Sequence, residues 1–208
     1  HKTDGERYAL CAMMYNEKPV CFLVNRAMEA FLIRASGTKH MYQGTLVDCE
    51  MVGKTLLLFD CIMCGGSSMK TAPFAERLSA CQTVSDTLKS SGFSFKKKQF
   101  IPLADFATLI DSAHEYGSDG FVFVPHASNV IQGTHSLMFK WKPRFSNTVD
   151  FGILKGKPHL QNSGNLMGVR VKVDLSDVNV SNELTIVECM FVAEKTWKAI
   201  GLRKDKLI

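Results

Sequence analysis

The residues best suited to chemistry lie in the charged run Lys2-Thr3-Asp4-Gly5-Glu6-Arg7. A lysine in a turn closed by glycine is well placed to present its amine to a phosphate group. An apolar run, Tyr8 to Met14, follows directly, so the amine would lie at the end of a strand, where Gly5 lets a ligand approach the backbone. An amine attacks phosphorus only when it is neutral, so this lysine needs neighbours that disfavour its charged form. The alternative is a solvated hairpin end.

Two acidic clusters accompany apolar runs further along the chain. Asp48-Cys49-Glu50 stands between Thr45-Leu46-Val47 and Met51-Val52, which predicts a strand end. Carboxylates there can hold Mg²⁺ through oxygen or accept a ribose hydroxyl, and a plain exposed strand end is the alternative. Asp119-Gly120 precedes the apolar run 121–124, where a metal site and a simple turn are both possible.

Two basic clusters complete the set. Strand alternation in Lys140-Trp141-Lys142 would put both lysines on one face, which is unfavourable unless an anion lies between them. A solvated edge strand is the alternative. Arg203-Lys204-Asp205-Lys206 lies near the end of the sequence, where a charged tail is the simpler interpretation.

The composition is that of a globular protein. The chain has 208 residues, of which 46% are hydrophobic and 22% charged, enough for one large domain or two small ones. The net charge of +5 is compatible with a polyanionic partner. No apolar run has the length of a membrane span, so we expect no membrane association. Because the sequence begins almost at its key lysine, we expect a fragment of a larger protein.

The pattern predicts an α+β fold in which antiparallel sheets carry flanking helices. Short apolar runs punctuated by Gly, Asn and Pro predict strands at 20–24, 30–33, 45–47, 56–59, 121–124, 169–173 and 184–192. Helical periodicity predicts helices over 73–91 and 103–115, with Leu103, Phe106, Leu109, Ile110 and Ala113 facing inward. Glycines and prolines near 143–168 predict a domain boundary at 144–148, followed by a small barrel of the oligonucleotide-binding (OB) type.

Other features are assigned no chemistry. Cys61 and Cys64 form one CxxC, but no second ligand pair stands at zinc spacing, so the seven cysteines are interpreted as reduced core residues. Residues 64–71 lack the glycines of a phosphate-binding loop and are interpreted as a loop before a helix. Lys96-Lys97-Lys98 is interpreted as a solvated basic turn, with guidance of RNA as the alternative. The six histidines show no metal spacing.

In their order along the chain, these clusters resemble the motifs of the covalent nucleotidyltransferases, and among them the mRNA capping guanylyltransferases. The resembling segments of the nucleotidyltransferase part are Lys2 to Arg7, Asn25-Arg26-Ala27-Met28, Asp48-Cys49-Glu50, Leu57 to Asp60, Asp119 to Phe123, and Lys140-Trp141-Lys142. Those of the following part are Asn147 to Phe151, then Trp197, Arg203, Asp205 and Lys206. The family more often has Asp where this chain has Asn25, and glycine where it has Cys49. The style of these motifs resembles that of the capping enzymes of large DNA viruses.

The resemblance implies a nucleotidyltransferase domain (ATP-grasp-like, DNA ligase/mRNA capping type) over 1–146, lacking its usual N-terminal segment, and an OB-fold domain over 147–208. It implies that Lys2 attacks the α-phosphate of GTP and that the GMP passes to RNA with a 5′-diphosphate end. Mg²⁺ or Mn²⁺ would be held by Asp119, with Glu50. The nucleotide would be contacted by Arg7, Arg26, Glu50, Phe59, Lys140, Lys142, Arg203, Asp205 and Lys206.

Within this resemblance, Phe59 would stack on the purine and the Lys140–Lys142 pair would clasp the α-phosphate. Triphosphatase and methyltransferase domains would flank or partner the chain. The expected location is the cytoplasm, in a viral factory or virion, for a viral enzyme, and the nucleus otherwise. An ATP-dependent DNA or RNA ligase and a non-catalytic RNA-binding module are the alternative functions.

Overall fold

A computed structural model of the chain describes residues 1–110, 112, 115–133, 135–143, 146–162, 165–203 and 206. The chain divides into two compact units, His1–Trp141 and Lys142–Ile208. Within the described residues, no helix is both long and apolar enough to cross a membrane.

The first unit is mostly sheet. Its strands are β1 (Glu6–Tyr15), β2 (Lys18–Val24), β3 (Ala30–Ile33), β4 (Ala35–Ser36), β5 (Thr45–Val52), β6 (Thr55–Cys64), β7 (Ser67–Ser68), β8 (Lys89–Ser90), β9 (Ser94–Lys97), β10 (Phe121–Phe123) and β11 (Phe139–Trp141). Its α-helices are α1 (Phe74–Thr87) and α2 (Phe106–Ile110). The main sheet has the order β3-β2-β1-β5-β6-β7, and β9 pairs with β6 in parallel. Strand β10 pairs with β11, and β4 with β8.

The core of this unit lies between one face of the main sheet and helix α1. Tyr8, Leu10 and Ala12 alternate along β1 and are buried, as expected for a strand with one face covered. From α1, Cys81 and Val84 pack into the same cluster. On the opposite face of the sheet, the ends of β1 and β5 that lie next to residues 2–5 carry polar side chains.

The two-residue turn between β1 and β2 sets the register in which these strands pair. Asn16 and Glu17 join β1 to β2 with φ angles of 46° and 61°. A two-residue turn with positive φ at both positions matches the twist of a hairpin, and asparagine tolerates that conformation better than most residues. The register this turn sets pairs Leu10 with Leu23.

Strand β6 is irregular at two points. Its pairing with β5 passes from Cys49↔Leu58 to Asp48↔Asp60, and again from Val47↔Cys61 to Leu46↔Met63. Each shift inserts one unpaired residue into β6, Phe59 in the first case and Ile62 in the second. Such bulges turn the side chains that follow, so residues three apart on β6 can share a face.

The second unit is also built from strands. They are β12 (Thr148–Leu154), β13 (Lys157–Asn162), β14 (Asn165–Gly168), β15 (Lys172–Asp174), β16 (Thr185–Ala193) and β17 (Thr196–Leu202). Their order is β14-β13-β12-β16-β17-β15; among these described strands β15 and β17 pair in parallel, and the other neighbours are antiparallel. The core contains Phe151, Val187 and Cys189, and Trp197 packs edge-on against Phe151.

The largely β architecture agrees with the predicted fold class, but three local predictions are wrong. Asp48-Cys49-Glu50 lies within β5, which runs through to Val52, and is not a strand end. The predicted helix over 103–115 is a 3₁₀ turn followed by the short α2, and it leaves Leu103 and Ile110 exposed; Ala113 lies outside the described residues. The predicted strand 169–173 is right only for its last two residues, which are the first two of β15; residues 169–171 connect β14 to β15.

Candidate active site

Backbone hydrogen bonds bring the first residues of the chain against the turn that precedes β10. The amide of Lys2 donates to the carbonyl of Gly120 at 2.8 Å, and the amide of Asp119 donates to the carbonyl of Lys2 at 3.1 Å. The Ser118 hydroxyl also donates to the Lys2 carbonyl at 3.0 Å. Gly120 has a φ of 145°, a conformation that favours glycine. Two segments far apart in sequence are thereby held side by side.

The side chains of Lys2 and Asp119 meet at this junction. Lys2 Nζ lies 2.8 Å from Asp119 Oδ1 and 3.0 Å from Oδ2. The two side chains are 22% and 21% exposed, so the pair is accessible to a ligand. The carboxylate holds the amine at a defined point.

Beside this pair, Thr3, Glu50 and Lys98 form a closed polar network. The Thr3 hydroxyl, which is fully buried, donates to Glu50 Oε2. Lys98 Nζ donates to Glu50 Oε2 at 2.8 Å and to Thr3 Oγ1 at 2.7 Å. The Lys98 side chain is only 11% exposed. Its interpretation as part of a solvated basic turn is therefore wrong, although its neighbour Lys97 is exposed as predicted.

Gly5 is required by protein packing. A Cβ atom at this position would lie 2.6 Å from the carbonyl oxygen of Met51 and 2.7 Å from Glu50 Cγ. The Gly5 amide donates to Glu50 Oε1 at 3.3 Å. The absent side chain thus lets residues 3–5 lie flat against β5, whereas the sequence suggested close approach of a ligand.

Phe59, the bulge residue of β6, has two cations over its ring. The Arg7 guanidinium carbon and the Lys98 ammonium are each 5.9 Å from its ring centroid. Arg7 Nη2 also donates to Asp48 Oδ2 at 2.6 Å. Because bulges often re-aim a side chain next to a functional site, the insertion of Phe59 explains how its ring reaches the polar face of the sheet.

Arg26 lies in the loop between β2 and β3 and is exposed. Asn25 closes this loop through its side chain, which accepts from the Glu29 amide at 3.0 Å and donates to the Glu29 carboxylate at 2.6 Å. Residues 25–27 and 5–7 together line a depression of about 380 Å³. Arg7 and Arg26 therefore share one recess.

The basic cluster Lys140-Trp141-Lys142 spans the end of the first unit. In β11, Lys140 pairs with Val122, and Trp141 pairs with Phe121. The rings of Trp141 and Phe121 are 5.7 Å apart, so Lys140 is on the opposite face of this hairpin. Lys142 follows as the first residue of the second unit and is half-buried.

The other predicted cations belong to the second unit. Arg203 Nη1 lies 3.4 Å from Asp150 Oδ1 and 3.8 Å from Glu188 Oε2. Lys206 donates to the other oxygen of Asp150. Asp205 lies outside the described residues. Asp150 therefore pairs with Arg203 and Lys206, two residues that the resemblance predicts to contact the nucleotide.

Arg77 is a buried residue that the sequence interpretation missed. Its guanidinium donates to both carboxylate oxygens of Asp60, at 2.7 and 3.1 Å, and to the carbonyls of Ala72 and Ser128, at 2.8 and 2.6 Å. It joins β6 next to Phe59, helix α1 and the loop after β10. Its burial could have been predicted from its position, because it is a charged residue three positions after Phe74 on the apolar face of the helix.

Among the described residues, no group of three or more His, Cys, Asp or Glu side chains is placed to hold a metal ion. Mg²⁺ in nucleotide sites is commonly held by one or two carboxylates plus substrate phosphates, and the accessible Asp119 fits that role. Glu50 fits less well, because it accepts hydrogen bonds from three protein groups, the Thr3 hydroxyl, the Gly5 amide and the Lys98 ammonium.

A family model and the curated relatives that match this chain carry the same description, mRNA capping enzyme. A family model described as "mRNA capping enzyme, catalytic domain" matches residues 1–144. The mRNA-capping enzyme subunit alpha of Kluyveromyces lactis is 28% identical over 204 residues, covering 76% of this chain and 42% of that protein. The same subunit of Schizosaccharomyces pombe is 23% identical over 267 residues, covering 99% of this chain and 66% of that protein.

The chain spans less than half the length of the Kluyveromyces lactis relative and of its Saccharomyces cerevisiae counterpart, of which 43% is covered at 26% identity. Among solved structures, a mycobacterial DNA ligase D complexed with ATP and MES matches with a TM-score of 0.55 and 15% identity. That match covers 98% of this chain and 88% of the other, and it shows a shared fold.

Proposed function

The chain belongs to the mRNA capping enzyme catalytic-domain family, and from that premise we propose that it is an mRNA guanylyltransferase. It would transfer GMP from GTP to the 5′-diphosphate end of RNA through a lysyl-GMP intermediate. The observation that carries the proposal is the accessible Lys2 amine held 2.8 Å from Asp119. In the proposed first step, Lys2 Nζ bonds to the α-phosphorus and the bond to the leaving pyrophosphate breaks. In the second, the terminal oxygen of the RNA diphosphate displaces Lys2.

The surrounding residues support this chemistry. In this proposal, Asp119 orients the amine. Arg7, Arg26 and Phe59 line the adjoining face, where cations suit the ribose and phosphates and the ring suits a base. Glu50, already tied to Thr3 and Lys98, presents carboxylate lone pairs that suit a ribose hydroxyl.

Two groups of cations complete the proposal. Lys140 and Lys142 would bind the α-phosphate and neutralise charge that develops in the transition state. Arg203, Asp205 and Lys206 would meet the pyrophosphate part of GTP. In this proposal, Arg203 and Lys206 would exchange their carboxylate partners, Asp150 and Glu188, for phosphate. Mg²⁺ or Mn²⁺, held by Asp119 and less readily by Glu50, would neutralise phosphate oxygens.

We also infer that the second unit is an OB-type barrel, supported by its small size and largely antiparallel strands. A triphosphatase and a methyltransferase stay predicted partners. The reported relatives are fungal and give the large DNA virus type no support. A cytoplasmic viral factory and the nucleus both stay predicted locations, which microscopy of the tagged protein would separate.

Covalent labelling tests the activity. The chain is incubated with α-labelled GTP or ATP and Mg²⁺ or Mn²⁺, and label on the denatured protein is measured. We expect label from GTP that is lost in Lys2→Ala and retained in Lys97→Ala, a matched change at an exposed lysine. Addition of diphosphate-ended RNA should move the label to the RNA.

The alternatives give different results. Label from ATP and not GTP would replace the proposal with a ligase. RNA binding with no label from either nucleotide would indicate a non-catalytic module. Full labelling of Lys2→Ala would mean that another residue is the nucleophile.

A further inference from the structure

The second unit carries most of the net positive charge of the chain. Residues 142–208 contain eleven Lys and Arg against seven Asp and Glu, whereas residues 1–141 contain fourteen against thirteen. Four of the five net charges therefore belong to the smaller unit. Such an excess of one sign favours association with a polyanion, and the positions of the cations show which surface is available for it.

Alternation along residues 169–173 turns two of these cations outward. Val169, Val171 and Val173 pack against the core of the second unit. Arg170 and Lys172 stand between these valines and are exposed. Because successive side chains of an extended chain point to opposite faces, Arg170 and Lys172 share the outer face.

A third cation, Lys157, is held beside Arg170. Strands β13 and β14 are antiparallel, and the Val169 amide extends their register by donating to the Pro158 carbonyl at 3.1 Å. The next step of this register places the exposed Lys157 opposite Arg170. Opposed residues of antiparallel strands have Cβ atoms about 4.5–5.5 Å apart, and like charges at that distance are destabilising. An anion that binds between the two would relieve this repulsion.

Two further lysines extend the row. The Lys172 amide donates to the Lys195 carbonyl at 2.7 Å, so the exposed Lys195 lies next to Lys172. Beyond the other end, the exposed Lys155 stands in the two-residue turn that precedes Lys157. We call Lys155, Lys157, Arg170, Lys172 and Lys195 the basic surface. From the rise along a strand and the spacing between strands, it extends over roughly 20 Å.

The described part of the chain provides no ion pair for the basic surface. None of its five side chains lies within ion-pair distance of a described carboxylate, whereas the neighbouring Lys198 is 2.8 Å from Asp177. Asp174 follows Lys172 on the same strand, but its carboxylate accepts from the Ser176 amide at 3.0 Å. Glu194, in the same turn as Lys195, is exposed. The cations of this surface are therefore available to an external anion.

We propose that the basic surface binds the sugar–phosphate backbone of single-stranded RNA; the choice of RNA rests on the proposed function. A row with a cation roughly every 5–7 Å suits a polymer that carries one charge in every repeat unit. Because such contacts are made to phosphates and not to bases, binding is independent of sequence. Lys195 and Arg203 flank the two ends of β17, roughly 20 Å apart, so this end of the surface is separate from the cations predicted to contact GTP.

Binding of RNA to the full chain tests the proposal without any need for catalysis. Fluorescence anisotropy with a short, end-labelled, 5′-diphosphate RNA is measured over a range of salt concentrations. The wild type is compared with the triple variant Lys157→Gln/Arg170→Gln/Lys172→Gln. Each phosphate contact on a single strand contributes about 0.7 to the salt slope, which corresponds to about fivefold in affinity at about 0.1 M salt. We therefore expect the triple variant to bind about 100-fold more weakly, with a slope lower by about 2.

A matched control separates the basic surface from net charge. The control variant Lys18→Gln/Lys39→Gln/Lys54→Gln removes the same number of charges from exposed lysines of the first unit, and it should bind RNA almost as well as the wild type. Equal losses in the two triple variants would overturn the proposal, because net charge alone would then explain binding. Displacement of the RNA by polyglutamate as effectively as by unlabelled RNA would replace RNA with an acidic protein partner.

Covalent labelling with GTP distinguishes failure of this proposal from failure of the proposed function. The basic-surface variant should take label as the wild type does, while transfer of the label to RNA should need more RNA to reach an unchanged maximal rate. RNA binding that depends on the basic surface, in a chain that takes no label, would support the surface and reject the guanylyltransferase. Normal labelling with equal RNA binding by both triple variants would reject the basic surface alone.

Discussion

Replacing Lys98 with methionine tests whether its ammonium is needed to hold the segment that carries Lys2. Lys98→Met keeps most of the apolar stem and removes contacts of 2.8 Å to Glu50 and 2.7 Å to Thr3. Leaving a buried charge uncompensated costs about 3–5 kcal/mol. Glu50 is 16% exposed and in the variant keeps the Thr3 and Gly5 donors, so we expect a cost at the lower end of this range. We therefore expect a loss of about 3 kcal/mol in the free energy of unfolding.

Urea unfolding of four proteins measures this loss: wild type, Lys98→Met, Glu50→Gln and the double variant. Because the double variant lacks both charges, it should be more stable than the sum of the single changes predicts, with a coupling energy of about 1–3 kcal/mol. Lys97→Met, at the exposed neighbour, should change stability by less than about 0.5 kcal/mol. A coupling energy near zero, or equal losses in Lys97→Met and Lys98→Met, would refute the reasoning.

Three further changes test other contacts. Gly5→Ala should destabilise the first unit by about 1–3 kcal/mol through contact with Met51 and Glu50, while Gly92→Ala, whose nearest added contact is 3.9 Å away, should be nearly neutral in the same thermal melts. Arg77→Met should lower the free energy of unfolding by about 3–5 kcal/mol. Arg77→Lys should not restore stability, because one ammonium cannot span Asp60 and two carbonyls. Recovery of stability in the lysine variant would contradict this explanation. Asp150→Asn should weaken the hold on Arg203 and Lys206 and destabilise the second unit by about 1–2 kcal/mol in urea unfolding, whereas unchanged stability would mean that these ion pairs are too solvated to matter.

Local patterns in the sequence predict much of the sheet. The predicted strand 30–33 coincides with β3, and 184–192 differs from β16 by one residue at each end, because apolar runs bounded by turn residues leave few alternatives. The order of polar clusters also placed Lys2 and Asp119 in one site, and their side chains meet. The catalytic and binding roles of the site residues stay predictions.

What the sequence does not predict depends on pairing between distant segments. Lys98 looks like one of three similar lysines, and its burial follows only from the approach of Thr3 and Glu50 across the sheet. The bulge at Phe59 exists only relative to its partner strand, so no local pattern reveals it. The region of α2 shows the opposite error. The apolar periodicity predicted a longer helix with a buried face, but α2 is short, and Leu103 and Ile110 are exposed.

The distribution of thiols makes the two units separately observable. Cys189 is the one cysteine in the sequence after residue 142, and burial raises its pKa to about 11. Cys21 and Cys81 are shielded in the same way in the first unit. A brief pulse of alkylating reagent during denaturation would therefore record, on a single natural chain and without added dyes, which half opens first.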